Sequence, residues 1–221
     1  MTPPLHTPPW IATVTAGAPE AMAVDLYAGK TALLGRLTGI VDRLAAAGVS
    51  PDTVTLAALP VAAAAGALLL LSPTAPGVLL AVPILAALRL LLNLLDGALA
   101  RRTGRMHPRG ELLNEFGDRV ADVAFLAPVA TLPGASAEIV LLGVLGGVLA
   151  SYVGITAKAA GGDRIYRGVL SKPGRMVLLS ACSLGYLVIG PAAWTAFGPI
   201  LLVGTALTIV ERLAIAARRL P

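Results

Sequence analysis

The sequence predicts an all-α protein that crosses a membrane several times. Three observations carry that prediction. First, 57% of its 221 residues are hydrophobic and only 13% are charged, where soluble domains have roughly 25% charged residues. Second, the mean hydropathy is +0.83, concentrated in apolar runs close to the ~20 residues that span a bilayer. Third, the basic residues fall in alternate loops between those runs, which is the charge bias of membrane proteins.

Residues 1–19 are proline-rich and lack a basic segment followed by an apolar core, so they read as a disordered cytoplasmic tail and not as a cleaved signal. Residues 20–49 mix apolar positions with Asp25, Lys30, Arg36, Asp42 and Arg43, the pattern of an amphipathic helix lying at the interface. Ser50-Pro51-Asp52-Thr53 then offers a helix start. Residues 50–221 are expected to hold six transmembrane helices. The expected spans are about 53–71, 78–100, 110–131, 137–157, 173–189 and 194–214, parted by Pro- and Gly-containing turns or polar loops.

The loops at 72–77, 132–136 and 190–193 contain no Lys or Arg. Lys30, Arg36 and Arg43 precede the first span. Arg101, Arg102, Arg105 and Arg109 lie between the second and third, Lys158, Arg164, Arg167, Lys172 and Arg175 around the fourth-to-fifth connection, and Arg212, Arg218 and Arg219 at the end. The rule places both termini and the polar ends of spans two and three in the cytoplasm, with the chain integral to the cell (inner) membrane. The net charge of +5 is explained by this bias and by anionic lipid headgroups, so no nucleic-acid partner is expected. One cysteine, Cys182, excludes an intrachain disulfide. His6 and His107 show no metal-ligand spacing, and no CxxC or GxSxG occurs, which leaves zinc and serine-hydrolase chemistry without support.

Ionisable groups inside a membrane are costly and face a cavity or one another. Here they concentrate in two adjacent spans. Arg89, Asn93 and Asp96 share one face of the second, while Glu111, Asn114, Asp118 and Asp122 share one face of the third. A short basic loop makes the two helices antiparallel neighbours, so these faces can meet. Carboxylates beside cations suggest a divalent metal shared with a phosphorylated ligand, since Mg²⁺ prefers oxygen donors and substrate phosphates. The other reading is that Asp96 and Asp118 only neutralise Arg101, Arg89 or Arg119. A further basic group, Lys172 and Arg175, stands where Pro173 starts a helix. It suits either lipid headgroups or an acceptor phosphate.

Asn93-Leu-Leu-Asp96-Gly97-Ala-Leu-Ala100-Arg101, eight residues, then Gly110-Glu-Leu-Leu-Asn114-Glu-Phe-Gly-Asp118 resembles the signature D-x2-D-G-x2-A-R-x8-9-G-x3-D-x3-D of the CDP-alcohol phosphotransferases. Asp96, Gly97, Ala100, Arg101, Gly110 and Asp118 match, and Asn93 and Asn114 replace aspartates. Val49 to Thr55 also resembles the segment that leads into the family's first span.

The resemblance implies transfer of a phosphatidyl-type group from CDP-diacylglycerol or a related CDP-lipid to an alcohol, with release of CMP. It further implies one or two Mg²⁺ (or Mn²⁺) ions and a homodimer. Asp96 and Asp118 would be catalytic and metal-ligating, with Asn93 and Asn114 completing the ligand set. Gly97, Ala100 and Gly110 would leave room for the nucleotide, and Arg101 would contact it. Asn keeps the shape of Asp but loses its charge, so a weaker or single metal site is expected, with Glu115 able to compensate. Two further readings stay open: a CDP-lipid hydrolase, and a catalytically impaired lipid-binding or scaffolding protein.

Overall fold

The structure, a computed structural model, describes Gly35 and residues 37–219. The expected tail at 1–19 and the first part of the amphipathic helix lie outside the described residues. Among those described there is no strand. A helix at 37–46, α1, precedes α2 (Pro51–Leu71), α3 (Val82–Thr103), α4 (Pro108–Leu126), α5 (Ala137–Ala159), α6 (Lys172–Ile189) and α7 (Ala192–Arg219). Short 3-10 turns at Pro76–Ala81 and Ala127–Thr131 lead into α3 and out of α4. The second and third expected spans are therefore each part α-helix and part 3-10 turn. The last helix runs five residues beyond the expected position 214, into its basic end.

Four stretches are long and apolar enough to cross a membrane among the described residues: Pro51–Leu71, Pro76–Thr103, Ala137–Ala159 and Ala192–Arg219. Helices α4 and α6 occupy the other two expected positions. The charged face of α4, with Glu111, Glu115, Asp118, Arg119 and Asp122, dilutes its apolar character.

The chain divides into two compact units. Among the described residues, one comprises those up to 57 together with 91–115, the other 58–90 and 116–219. In the first, Leu37 and Val41 of α1 pack with Val54, Leu95, Ala98 and Leu99, while Asp42 reaches Arg102 at 2.8 Å on the outside. Three caps set its helix ends. Ser50 Oγ accepts the Thr53 N–H at 3.1 Å, and Pro51 opens α2. Gly104 adopts φ 67° and lets the Arg105 N–H reach the Ala100 carbonyl at 3.1 Å, closing α3. His107 and Pro108 then start α4.

In the second unit the core is built from Ala62, Leu69, Leu79, Phe125, Leu179, Trp194 and Phe197, among others, with α5 lying along α7. Gly66 meets the main chain at Ala124 so closely that no side chain fits there. The connection from α5 to α6 is held to α7 by polar contacts. Arg212, buried, donates to the carbonyls of Ala150 (2.6 Å), Tyr166 (2.7 Å) and Arg167 (2.8 Å). Thr208 Oγ1 accepts the Leu170 N–H at 2.8 Å, and Glu211 pairs with Arg167 at 2.9 Å. This satisfies main-chain groups that would be costly to bury alone.

Candidate active site

The first unit places the leading half of the motif. Asp96 is 5% exposed. Its Oδ2 accepts from Thr55 Oγ1 at 3.0 Å and its Oδ1 from the Gly97 N–H. Charge-assisted bonds of this kind hold a carboxylate in one orientation. Gly97 lies beside the Arg101 guanidinium, where a Cβ would make ordinary contact at 3.4 Å. The other glycine is more tightly surrounded. A Cβ on Gly110 would meet Asp52 Oδ1 and the His107 ring at 3.0 Å. Asn114 Oδ1 is buried with no hydrogen-bond partner among the described residues. Asn93 and Ala100 are half-buried on α3.

The second unit places the rest. Asp118, buried, meets three cations: Arg89 Nη2 at 2.6 Å, Lys172 Nζ at 2.7 Å and Arg119 Nη2 at 3.6 Å. One helical turn on, Asp122 Oδ2 accepts from Arg175 Nη2 at 2.6 Å. Arg175 also donates to the Leu170 carbonyl at 3.2 Å and lies over Gly147. Helix α6 thus aims Lys172 and Arg175 at two carboxylates of α4, and α3 contributes Arg89. Within this cluster four cationic ends meet two carboxylates. Charged groups taken from water need compensation, and here the two carboxylates and the cations around them supply it to one another.

Neutralisation by neighbouring arginines, the alternative to a functional role, therefore does occur at Asp118, with Arg89 and Arg119. Lys172 and Arg175, expected at an acceptor phosphate, reach these acidic side chains. Three contributors escaped the sequence reading. Thr55 orients Asp96, and its place one turn into α2 was the available signal. His107 accepts the Gly110 N–H at Nδ1 (2.9 Å), the mark of a helix cap just before Pro108. Arg212 ties down the segment leading to Lys172, and a lone arginine in an apolar run pointed to it.

A divalent cation is implied by the motif. No group of three or more His, Cys, Asp or Glu side chains is set to hold one among the described residues. The donor chemistry nevertheless fits: the candidates are hard oxygens, and the orphaned Asn114 Oδ1 is a buried acceptor of the type such an ion takes.

No protein-family model matches the chain. It is 35% identical over 136 residues to the inner membrane protein YnbA of Escherichia coli, covering 62% of this chain and 67% of the relative. It is 35% identical over 136 residues to the archaetidylinositol phosphate synthase of Aeropyrum pernix, covering 60% and 66%. The aligned region thus spans about two thirds of either relative. Among solved structures, the Mycobacterium tuberculosis phosphatidylinositol phosphate synthase PgsA1 with CDP-DAG bound superposes with TM-score 0.68 at 25% identity, covering 82% of this chain and 94% of that one. The same enzyme in complex with manganese and citrate gives TM-score 0.67. The motif on α3 and α4, the apolar helices and these relatives agree: the chain belongs to the CDP-alcohol phosphotransferases, a family of membrane transferases.

Proposed function

We propose that the protein transfers a phosphatidyl-type group from CDP-diacylglycerol to a phosphorylated alcohol of the inositol phosphate class. The observation that carries the choice of a phosphorylated acceptor is the concentration of cationic ends, Arg89, Arg119, Lys172 and Arg175, around Asp118 and Asp122. The inositol phosphate synthases among its relatives and the CDP-DAG bound to PgsA1 support the same reading.

By the family motif, Asp96 and Asp118, with Asn93 and Asn114, would be the residues to hold a Mg²⁺ or Mn²⁺ ion. When bound, the ion neutralises the donor diphosphate and polarises its P–O bonds. With two of four carboxylates replaced by amides, one ion is proposed, and Glu115 is the side chain proposed to add charge. Arg101 contacts the nucleotide beside Gly97 and Ala100. Lys172 and Arg175 bind the acceptor phosphate and bring its hydroxyl to the phosphorus. The hydroxyl oxygen forms the new P–O bond, its proton passes to Asp118, and the bond to CMP breaks. Asp96, fixed by Thr55, keeps its orientation throughout. Six spans, cytoplasmic termini and active site, and a homodimer complete the proposal. The loop charge bias supports the orientation.

The test is CMP release by purified protein in vesicles containing CDP-diacylglycerol and Mg²⁺ or Mn²⁺, with and without inositol phosphate. Release only with the acceptor supports the transferase. Release with water alone identifies a hydrolase, and none under any condition identifies a scaffold.

A further inference from the structure

The opening turn of α2 touches both motif helices within the first unit. Thr55 reaches α3, donating to Asp96 Oδ2 at 3.0 Å. Asp52, three residues earlier and on the same side of the helix, reaches the start of α4. Its Oδ2 lies 3.4 Å from His107 Nε2, and the His107 Nδ1 accepts the Gly110 N–H at 2.9 Å. An Nδ1 that accepts carries no proton, so in the neutral ring Nε2, the nitrogen beside Asp52, bears the hydrogen. One imidazole therefore caps α4 and ties that cap to α2. Gly110 leaves the contact undisturbed, because a Cβ there would meet both the Asp52 carboxylate and the His107 ring at 3.0 Å and one of them would have to give.

We propose that Asp52 and His107 form a brace that fixes where α4 begins, making His107 a positioning residue for Asn114 two turns along the same helix. The role is indirect: His107 and Asp52 are partly exposed, and the contact acts through helix placement. An exposed pair of this kind contributes little to stability, while a displaced ligand costs catalysis steeply. The brace should thus be read more clearly in turnover than in unfolding.

The experiment is a double-mutant cycle on the full chain in lipid nanodiscs with D52N, H107N and D52N/H107N, together with H107A. The H107N change retains a capping oxygen but loses the link to Asp52, and H107A loses both. The proposal rests on the transferase reading for its kinetic arm, so thermal unfolding of the same variants is followed in parallel. Expected results are a kcat about threefold lower for H107N and about tenfold lower for H107A, with KM for the CDP-lipid little changed. The double variant should be no worse than the poorer single variant, because both changes break one contact. In unfolding, the two single changes should likewise be non-additive.

Additive effects in both readouts would overturn the brace, as would an H107A variant with wild-type turnover. Should the wild-type protein release no CMP, the transferase reading fails while the unfolding cycle still decides the brace.

Discussion

Arg175 and Asp122 are joined at 2.6 Å with only 2% and 5% of their side chains exposed. Such a pair is asymmetric in its energetics. Removing one partner strands a buried charge, at a cost of about 3–5 kcal/mol. Arg175→Ala should therefore lower the thermal unfolding midpoint sharply, and Arg175→Ala/Asp122→Asn should recover much of that loss. If Arg175 also binds the acceptor, the double variant will regain stability but keep a raised acceptor KM, with CDP-lipid binding unchanged. Equal loss of donor and acceptor binding would argue against an acceptor role.

Asp118 is the common counter-charge of Arg89, Lys172 and Arg119. Asp118→Asn keeps the shape and removes the charge. Turnover in the CMP-release assay is expected to fall about a hundredfold or more, together with a measurable loss of stability. Near-normal turnover would show that Asp118 serves only the ion-pair network.

Asn93 and Asn114 lower the negative charge of the proposed cation site by two relative to the family pattern. Asn93→Asp and Asn114→Asp should each tighten Mg²⁺ or Mn²⁺ binding by about tenfold, because ligand charge sets affinity for hard cations. Titration calorimetry or Mn²⁺ paramagnetic resonance measures this without turnover. Unchanged affinity in both variants would remove these positions from the ligand set.

Gly154 on α5 faces the Ile165 carbonyl and Arg212 Nη1, both of which a Cβ would crowd. Gly154→Ala should destabilise by about 1–3 kcal/mol through backbone displacement. It should also shift Lys172 and Arg175 by way of the preceding loop, so acceptor KM rises more than donor KM. Thermal unfolding and the two KM values check the two halves separately.

Much of the helical order was legible in advance because apolar runs and Pro-Gly breaks are local signals. The order from α2 to α7 follows the expected spans, with ends differing by a few residues where 3-10 turns begin or close a run. The clustering of chemistry on α3 and α4 was legible for the same reason: fixed spacing puts Asn93 and Asp96, or Asn114 and Asp118, on one helix face. Partner choice was not. Nothing local says that Arg175 will reach Asp122, 53 positions away, or that Lys172 will reach Asp118. Gly110 shows the same limit. Its small size was legible, but what fills the space beside it, His107 and Asp52, depends on a contact with a helix start more than fifty residues earlier.

The grip of Arg212 has an evolutionary consequence. Its guanidinium recognises main-chain oxygens at Tyr166 and Arg167, which every amino acid supplies. At Tyr166 the path of that segment is thereby uncoupled from side-chain identity, whereas Gly168 is held small by Thr208. Descendants of this scaffold are free to change the exposed side chain at Tyr166, and with it the chemistry offered to water and headgroups, while delivering Lys172 and Arg175 to the same two carboxylates.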